Sequence, residues 1–155
     1  MGEQGLVGYK KILVATDGSE WAKAATREAI WLAQRIEAEV VVVYVVDSHG
    51  AFHLGIHASE ARSEMLAEGR VALRHVSEIA SGLEVNIRTE LLEGDPKTVI
   101  VDYAAQEGVD CLIIGSHGAS GIEKALLGSV STYCVNHAPC PVLVVKPKVV
   151  RSAHV

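Results

Sequence analysis

With 155 residues, a net charge of −5 and nearly half its residues hydrophobic, the chain can bury a core without disulfides or metals. Its acidic balance gives nucleic acid no expected place as a partner, since phosphate backbones are held mainly by clustered Lys and Arg. Apolar runs such as Val40 to Val46 fall far short of the ~20 residues that a spanning helix requires, so no membrane is expected either.

Lys10 to Ala15 reads as a first strand, ending at the turn Thr16-Asp17-Gly18-Ser19. Ser19 is placed to cap a helix running to about Ile36, along which Ala22, Ala25, Ala29, Leu32, Ala33 and Ile36 recur at helical spacing. Val40 to Val46 is almost unbroken β-branched sequence, the mark of a central strand covered on both faces. Asp47 to His57 reads as a loop bearing Gly and His. His49, His53 and His57 recur every four residues, which on a helix would make one metal-binding face. Gly50 and Gly55 argue against a helix there, and a flap beside a ligand is the preferred reading.

A second long helix is expected from about Ser59 to Ala80, with Ala61, Met65, Ala72, Val76, Ile79 and Ala80 on one face. Glu84 to Leu92 is a third strand. Asp95-Pro96 opens another helix with a capping residue and a Pro at its first position, and that helix ends near Gly108. Asp110 to Ile114 is a fourth strand, followed by a glycine-rich loop, a helix starting near Ser129 and a short strand from Pro141 to Val145. Strands alternating with helices predict an α/β fold, a doubly wound three-layer sandwich with a parallel sheet. One domain over residues 9–147 with flexible ends (1–8 and 148–155) is the expected organisation.

Cys111, Cys134 and Cys140 form an odd set with no disulfide spacing, and Met1 to Gly8 lacks a signal-peptide pattern. Both point to a cytoplasmic protein. Cys134, His137 and Cys140 suggest ligands, but Pro139 and Pro141 break the geometry, and small thiols in or near the core are the better reading.

Ligands in such folds sit beyond the carboxyl ends of the strands, where strand order reverses. The first strand delivers Asp17 there, and the fourth delivers Gly115-Ser116-His117-Gly118. Further on, Gly128-Ser129-Val130-Ser131 opens a helix. Glycines let backbone amides approach an anion and adopt positive φ. A helix N-terminus adds unpaired N–H donors, and Ser129 and Ser131 add hydroxyls able to bond phosphate oxygens. Backbone amides can thus hold a polyphosphate on an acidic protein. The glycine loop also fits a bare strand-to-helix connection, and Asp17-Gly18 a plain turn. Lys124 in the loop reads as a solvated charge more readily than as a phosphate ligand, and the backbone of His117 as a closer neighbour of the phosphates than its ring.

The spacing Gly115-x2-Gly118-x9-Gly128-Ser129 resembles that of the ATP-binding branch of the universal stress proteins. Lys11 to Ser19, Tyr44-Val45-Val46-Asp47, Leu126 to Ser131 and Cys140 to Val145 are similar to the family's opening, second-strand and closing segments. The resemblance implies a five-stranded parallel sheet in order 3-2-1-4-5, and ATP with Mg²⁺ or Mn²⁺ as ligand. It implies that the Val45 backbone pairs with adenine, and that Asp17 and Gly115 hold the ribose. Gly118, Gly128, Ser129, Val130 and Ser131 would surround the phosphates. Ala15, Ile114 and His117 complete the expected set, with Asp17 a candidate for the outer sphere of the cation. A homodimer through the strand Pro141 to Val145 is implied as well. The expected role is that of an ATP-binding stress-response regulator whose occupancy acts on a partner. Slow ATP hydrolysis in the same pocket is the alternative reading, and a pure interaction protein a third. No G-x-S-x-G elbow or Ser, His and acid set suggests covalent catalysis, and no arginine is placed to stabilise a phosphoryl transition state.

Overall fold

The computed structural model describes residues 8–118 and 126–147. Five strands, β1 (Lys11–Thr16), β2 (Glu39–Val46), β3 (Asn86–Glu93), β4 (Cys111–Gly115) and β5 (Val142–Val145), form one sheet in order β3-β2-β1-β4-β5. All neighbours pair in parallel. Helices α1 (Glu20–Ile36), α2 (Ser48–Phe52), α3 (Ala58–Ala80), α4 (Pro96–Gln106) and α5 (Ser129–His137) make the connections.

Alternation along the central strands divides the core between two faces. Ile12, Val14, Val40, Val42 and Ile113 pack with Ala25, Ala29 and Ala33 of α1 and with Leu73 and Val76 of α3. Leu13, Val41, Val43, Leu112 and Ile114 pack on the other side with Ile100, Tyr103 and Ala104 of α4 and Cys134 of α5. Small alanines on α1 let its backbone lie close to the sheet, which explains a helix that buries so few large side chains.

The caps follow the sequence. Ser19 Oγ accepts from Ala22 N–H at 3.2 Å, and Asp95 Oδ1 accepts from Lys97 N–H at 3.0 Å with Pro96 in the first turn of α4. Glu37 ends α1 in the left-handed region (φ 55°). The segment from Asp47 to His57 departs from the loop expected of it. Asp47 Oδ1 accepts from Gly50 N–H at 3.2 Å and caps a single helical turn, α2, despite its glycine, and Gly55–His57 is a turn of 3-10 helix. A turn at His53 and Leu54 separates them, so His49, His53 and His57 do not share one helix face; all three are exposed. β3 begins at Asn86, later than expected, because it forms only where β2 offers Glu39 as a partner. On α3 the centre of the buried stripe is Gly69 and Leu73, with Val76 and Ala80; Ala61, Met65, Ala72 and Ile79 lie at its margins, partly exposed.

Candidate functional site

β1 sits between β2 and β4: the chain adds β2 and β3 on one side of β1 and β4 and β5 on the other, so the order of strands reverses at β1/β4. Beyond the carboxyl ends of these strands lies a cavity of ≈ 270 Å³. Its floor is apolar: Ala15, Val43, Val45, Ile100 and Ile114. Asp17, Gly115, His117 and Gly118 form one wall, and Gly128, Ser129, Val130 and Ser131 another.

The first wall is a turn held by its own side chains. Gly18 N–H donates to Thr16 Oγ1 at 3.2 Å, and Ser19 N–H donates to Asp17 Oδ1 at 2.9 Å. Gly18, at φ +80°, occupies a conformation that disfavours a side chain. Asp17 therefore serves the turn with one oxygen, while Oδ2 faces Gly118.

The second wall is the start of α5. Gly128 is its N-cap residue and makes no side-chain cap, so the N–H groups of Ser129, Val130 and Ser131 lack acceptors within the helix. The loop before it is pinned at both ends. Ser116 C=O accepts from Gly128 N–H at 2.7 Å and from Ser131 Oγ–H at 2.9 Å. The Ser131 hydroxyl, expected to bond phosphate, thus has its hydrogen directed to backbone carbonyls in this structure. Lys124 and the rest of 119–125 lie outside the described residues.

The loop glycines are there for close approach. None of Gly115, Gly118 and Gly128 has a φ in the left-handed region, contrary to the expectation of positive φ. A Cβ on Gly115 would stand 2.8 Å from the backbone C and O of Trp21 in the first turn of α1. The His117 ring tilts against the Trp21 ring with centroids 4.8 Å apart, and its Nδ1 lies 3.0 Å from Ser116 Oγ. Gly115 and His117 thereby lock the strand end onto α1.

Strand alternation aims the Val45 backbone. Glu39 N–H donates to Lys10 C=O on the β1 side, while Val46 C=O accepts from Gly94 N–H on the β3 side. Val45, like Glu39 an odd-numbered residue of β2, points its N–H and C=O toward β1. β1 gives out there, since the register ends at Thr16↔Tyr44. The next β1 amide, Gly18 N–H, turns back to Thr16 Oγ1. The Val45 carbonyl is left facing the cavity edge. An apolar slot with a backbone edge at one end, a carboxylate on the wall and a glycine-capped helix N-terminus at the other suits a flat polar ring joined to an anion.

The universal stress protein family profile matches residues 8–146. The chain belongs to that family. It is 43% identical over 140 residues to a universal stress protein of Methanocaldococcus jannaschii, covering 89% of this chain and 82% of that one. The solved structure of universal stress protein UspA from Lactobacillus plantarum superposes with a TM-score of 0.82 at 33% identity, over 90% of this chain and 99% of that one. A family protein from Arabidopsis thaliana with AMP bound shares the fold at 24% identity, with a TM-score of 0.64 and 93% coverage of each chain.

In this universal stress protein the eleven residues singled out from the sequence all line one cavity. Sequence reasoning missed Pro96 and Ile100, which close the cavity from α4, and Ala22 and Val43 beside them. Pro96 was legible as a helix start; that this start overhangs the β1/β4 crevice depends on how α4 crosses the sheet. The thiols stand apart from the site's chemistry. Burial pushes Cys111 and Cys134 up to about 11, and also raises Cys140. His137 stacks on Tyr133 with centroids 4.1 Å apart. Among the described residues no group of three or more His, Cys, Asp or Glu is placed to hold a metal, and no helix is long and apolar enough to cross a membrane.

Proposed function

We propose that this universal stress protein binds ATP in the β1/β4 cavity, as one nucleotide-binding unit over residues 9–147, and that occupancy regulates a protein partner. The observation that carries the reading is the glycine-capped N-terminus of α5, without a capping side chain among the described residues, at an apolar cavity whose far edge is the Val45 backbone. Adenine would lie on Val43, Val45 and Ile100 and pair with the Val45 backbone, the ribose hydroxyls would meet Asp17, and the phosphates would meet the amides of Ser129 to Ser131. A cavity of ≈ 270 Å³ falls just below the ~300–1,000 Å³ of ligand pockets. It suits base and ribose, with the phosphates running out along the loop.

The AMP-bound neighbour is too distant in sequence to argue more than the fold. The choice of ATP rests on the length of the Gly118-to-Gly128 loop and the helix start beside it. Mg²⁺ or Mn²⁺ fits as a passenger of the phosphates. Among the described residues Asp17 is the one carboxylate on the cavity wall, and Mg²⁺ is commonly held by substrate phosphates plus one or two carboxylates. Such an ion would neutralise phosphate charge; holding one of its waters is the alternative role for Asp17 to meeting the ribose.

A regulatory role is favoured over turnover by the same wall. It offers amides and hydroxyls, and no Arg or Lys among the described residues lining it to stabilise a phosphoryl transition state. Slow hydrolysis is the second reading. The first test is to denature freshly purified protein and identify released small molecules by mass spectrometry. An adenine nucleotide near one per chain is expected. Nothing released, with no ATP binding by calorimetry in Mg²⁺, overturns the reading; turnover that Gly118→Val abolishes would favour the hydrolase.

A further inference from the structure

The carboxyl end of the sheet carries a second hollow, on the face covered by α1 and α3. It is a groove of ≈ 570 Å³ with Tyr44 at its floor, the Thr16–Ser19 turn and Lys23 on one side and α3 on the other. The turn is its only shared wall with the first cavity among the described residues.

Its shape follows from small residues. α3 buries Gly69, Leu73, Val76 and Ala80 against the sheet and turns the neighbouring stripe, Glu68, Val71, Ala72 and His75, toward the groove. A Cβ on Gly69 would stand 2.8 Å from Tyr44 Cδ1, so the α3 backbone rests on the Tyr44 ring and fixes it. One turn on, a Cβ on Gly18 would lie only 3.5 Å from Ala72 Cβ. The two walls meet through small side chains there, and the space above Tyr44 stays open, with Val71 53% exposed at its rim.

Asp17, Lys23, Glu68 and His75 are the charged or titratable side chains that line the groove besides Tyr44. Lys23 Nζ is 2.9 Å from Glu20, and His75 Nδ1 is 3.1 Å from Glu78, so each basic group already holds a carboxylate outside the groove. Glu68 has no ion pair among the described residues. Tyr44, Glu68 and Asp17 all line the groove; burial raises the Tyr44 hydroxyl, and the charges of Glu68 and Asp17 raise it further. A cation would be welcome at that end, and the ring face beside it favours one too.

We propose that this groove is a second ligand site, for a small organic cation carrying its ammonium on an apolar skeleton about the size of one ring. The ammonium meets the Glu68 carboxylate and the Tyr44 hydroxyl, and the skeleton covers Tyr44, Val71 and Ala72. The site stands whether or not the first cavity takes a nucleotide.

The test uses the full chain, ¹⁵N-labelled, titrated with 2-phenylethylamine and with its neutral analogue 2-phenylethanol. The amides of Gly18, Ser19 and Ala72 report the groove; those of Gly128 and Val130 report the first cavity. Saturable shifts confined to the groove are expected, with 2-phenylethanol roughly ten-fold weaker and Glu68→Gln lowering amine affinity roughly five-fold, the scale of one charge-assisted contact. Glu68 is exposed, so that variant keeps its fold. No saturable shift, equal affinity for the neutral analogue, or shifts centred on Gly128 and Val130 would each overturn the proposal.

Discussion

Asp17 Oδ2 lies 2.7 Å from the point that a Cβ on Gly118 would occupy. The two ends of the site, the turn after β1 and the loop after β4, are thus in contact through a carboxylate and a missing side chain. Gly118→Ala pushes that carboxylate off its wall while its other oxygen stays tied to Ser19 N–H. Asp17 is exposed, so the fold has little to lose, within about 1 kcal/mol. Nucleotide affinity should fall roughly ten-fold, the scale of one displaced charged contact. Calorimetry with ATP decides it, and wild-type affinity in the variant would remove Asp17 from the site.

Gly115 has the opposite profile. Its absent Cβ is replaced by the Trp21 backbone at 2.8 Å, and a helix backbone cannot step aside as a side-chain tip can. Gly115→Ala should lower stability by about 2 kcal/mol or more through overpacking. At Gly128 the nearest atoms, His117 Cα, Ser116 O and Ser131 Oγ, stand at 3.3–3.4 Å, and Gly128→Ala should be milder, about 1 kcal/mol. Urea unfolding compares the two, with an unchanged m-value as the sign that stability alone has moved. A Gly115→Ala variant as stable as the parent would mean that α1 docks less tightly than described.

The thiols give a pH signature. Cys111 and Cys134 titrate near 11 in the fold, above their ordinary 9.0. Between those values the unfolded chain loses protons that the folded chain keeps, so stability is full below about 9 and falls as pH rises toward 11. Replacing both with Ala should make that fall shallower. At pH 8 a thiol reagent should find at most one accessible group, the part-exposed Cys140, until denaturant is added. Rapid labelling of all three would contradict the burial of Cys111 and Cys134.

Legibility in the sequence followed the range of the forces involved. Val40 to Val46 and the alanine stripe of α1 declare their surroundings by composition, and Ser19 and Asp95 cap helices that begin next to them. The glycine spacing picked out residues that line one cavity, but not through positive φ: φ is unremarkable at Gly115, Gly118 and Gly128, and what they require is room for Trp21, Asp17 and the loop's own backbone. That requirement is long-range and has no local signature. The same holds for the Ser131 hydroxyl, drawn to Ser116 fifteen positions away, and for Pro96 and Ile100 over the cavity. The helical turn at Ser48–Phe52 was hidden by Gly50, whose poor propensity (~1 kcal/mol) is offset locally by the Asp47 cap.

β5 ends the sheet, and its alternation separates two functions of one strand. Pro141 C=O accepts from Leu112 N–H, and Val145 C=O accepts from Ser116 N–H, both at 2.9 Å, so odd-numbered residues face β4. Val142 and Val144 point their backbone groups to the open edge. We propose that a second copy pairs there, in a two-fold arrangement that protects an apolar edge. Val144→Pro removes one outward N–H and leaves every bond to β4 in place, a substitution that an edge strand tolerates. The variant should keep its circular dichroism and run as a monomer by light scattering where the parent runs as a dimer. Leu143→Lys, which charges a side chain already 41% exposed, should weaken the dimer without touching the backbone. A Val144→Pro protein that stays dimeric would move the interface away from β5.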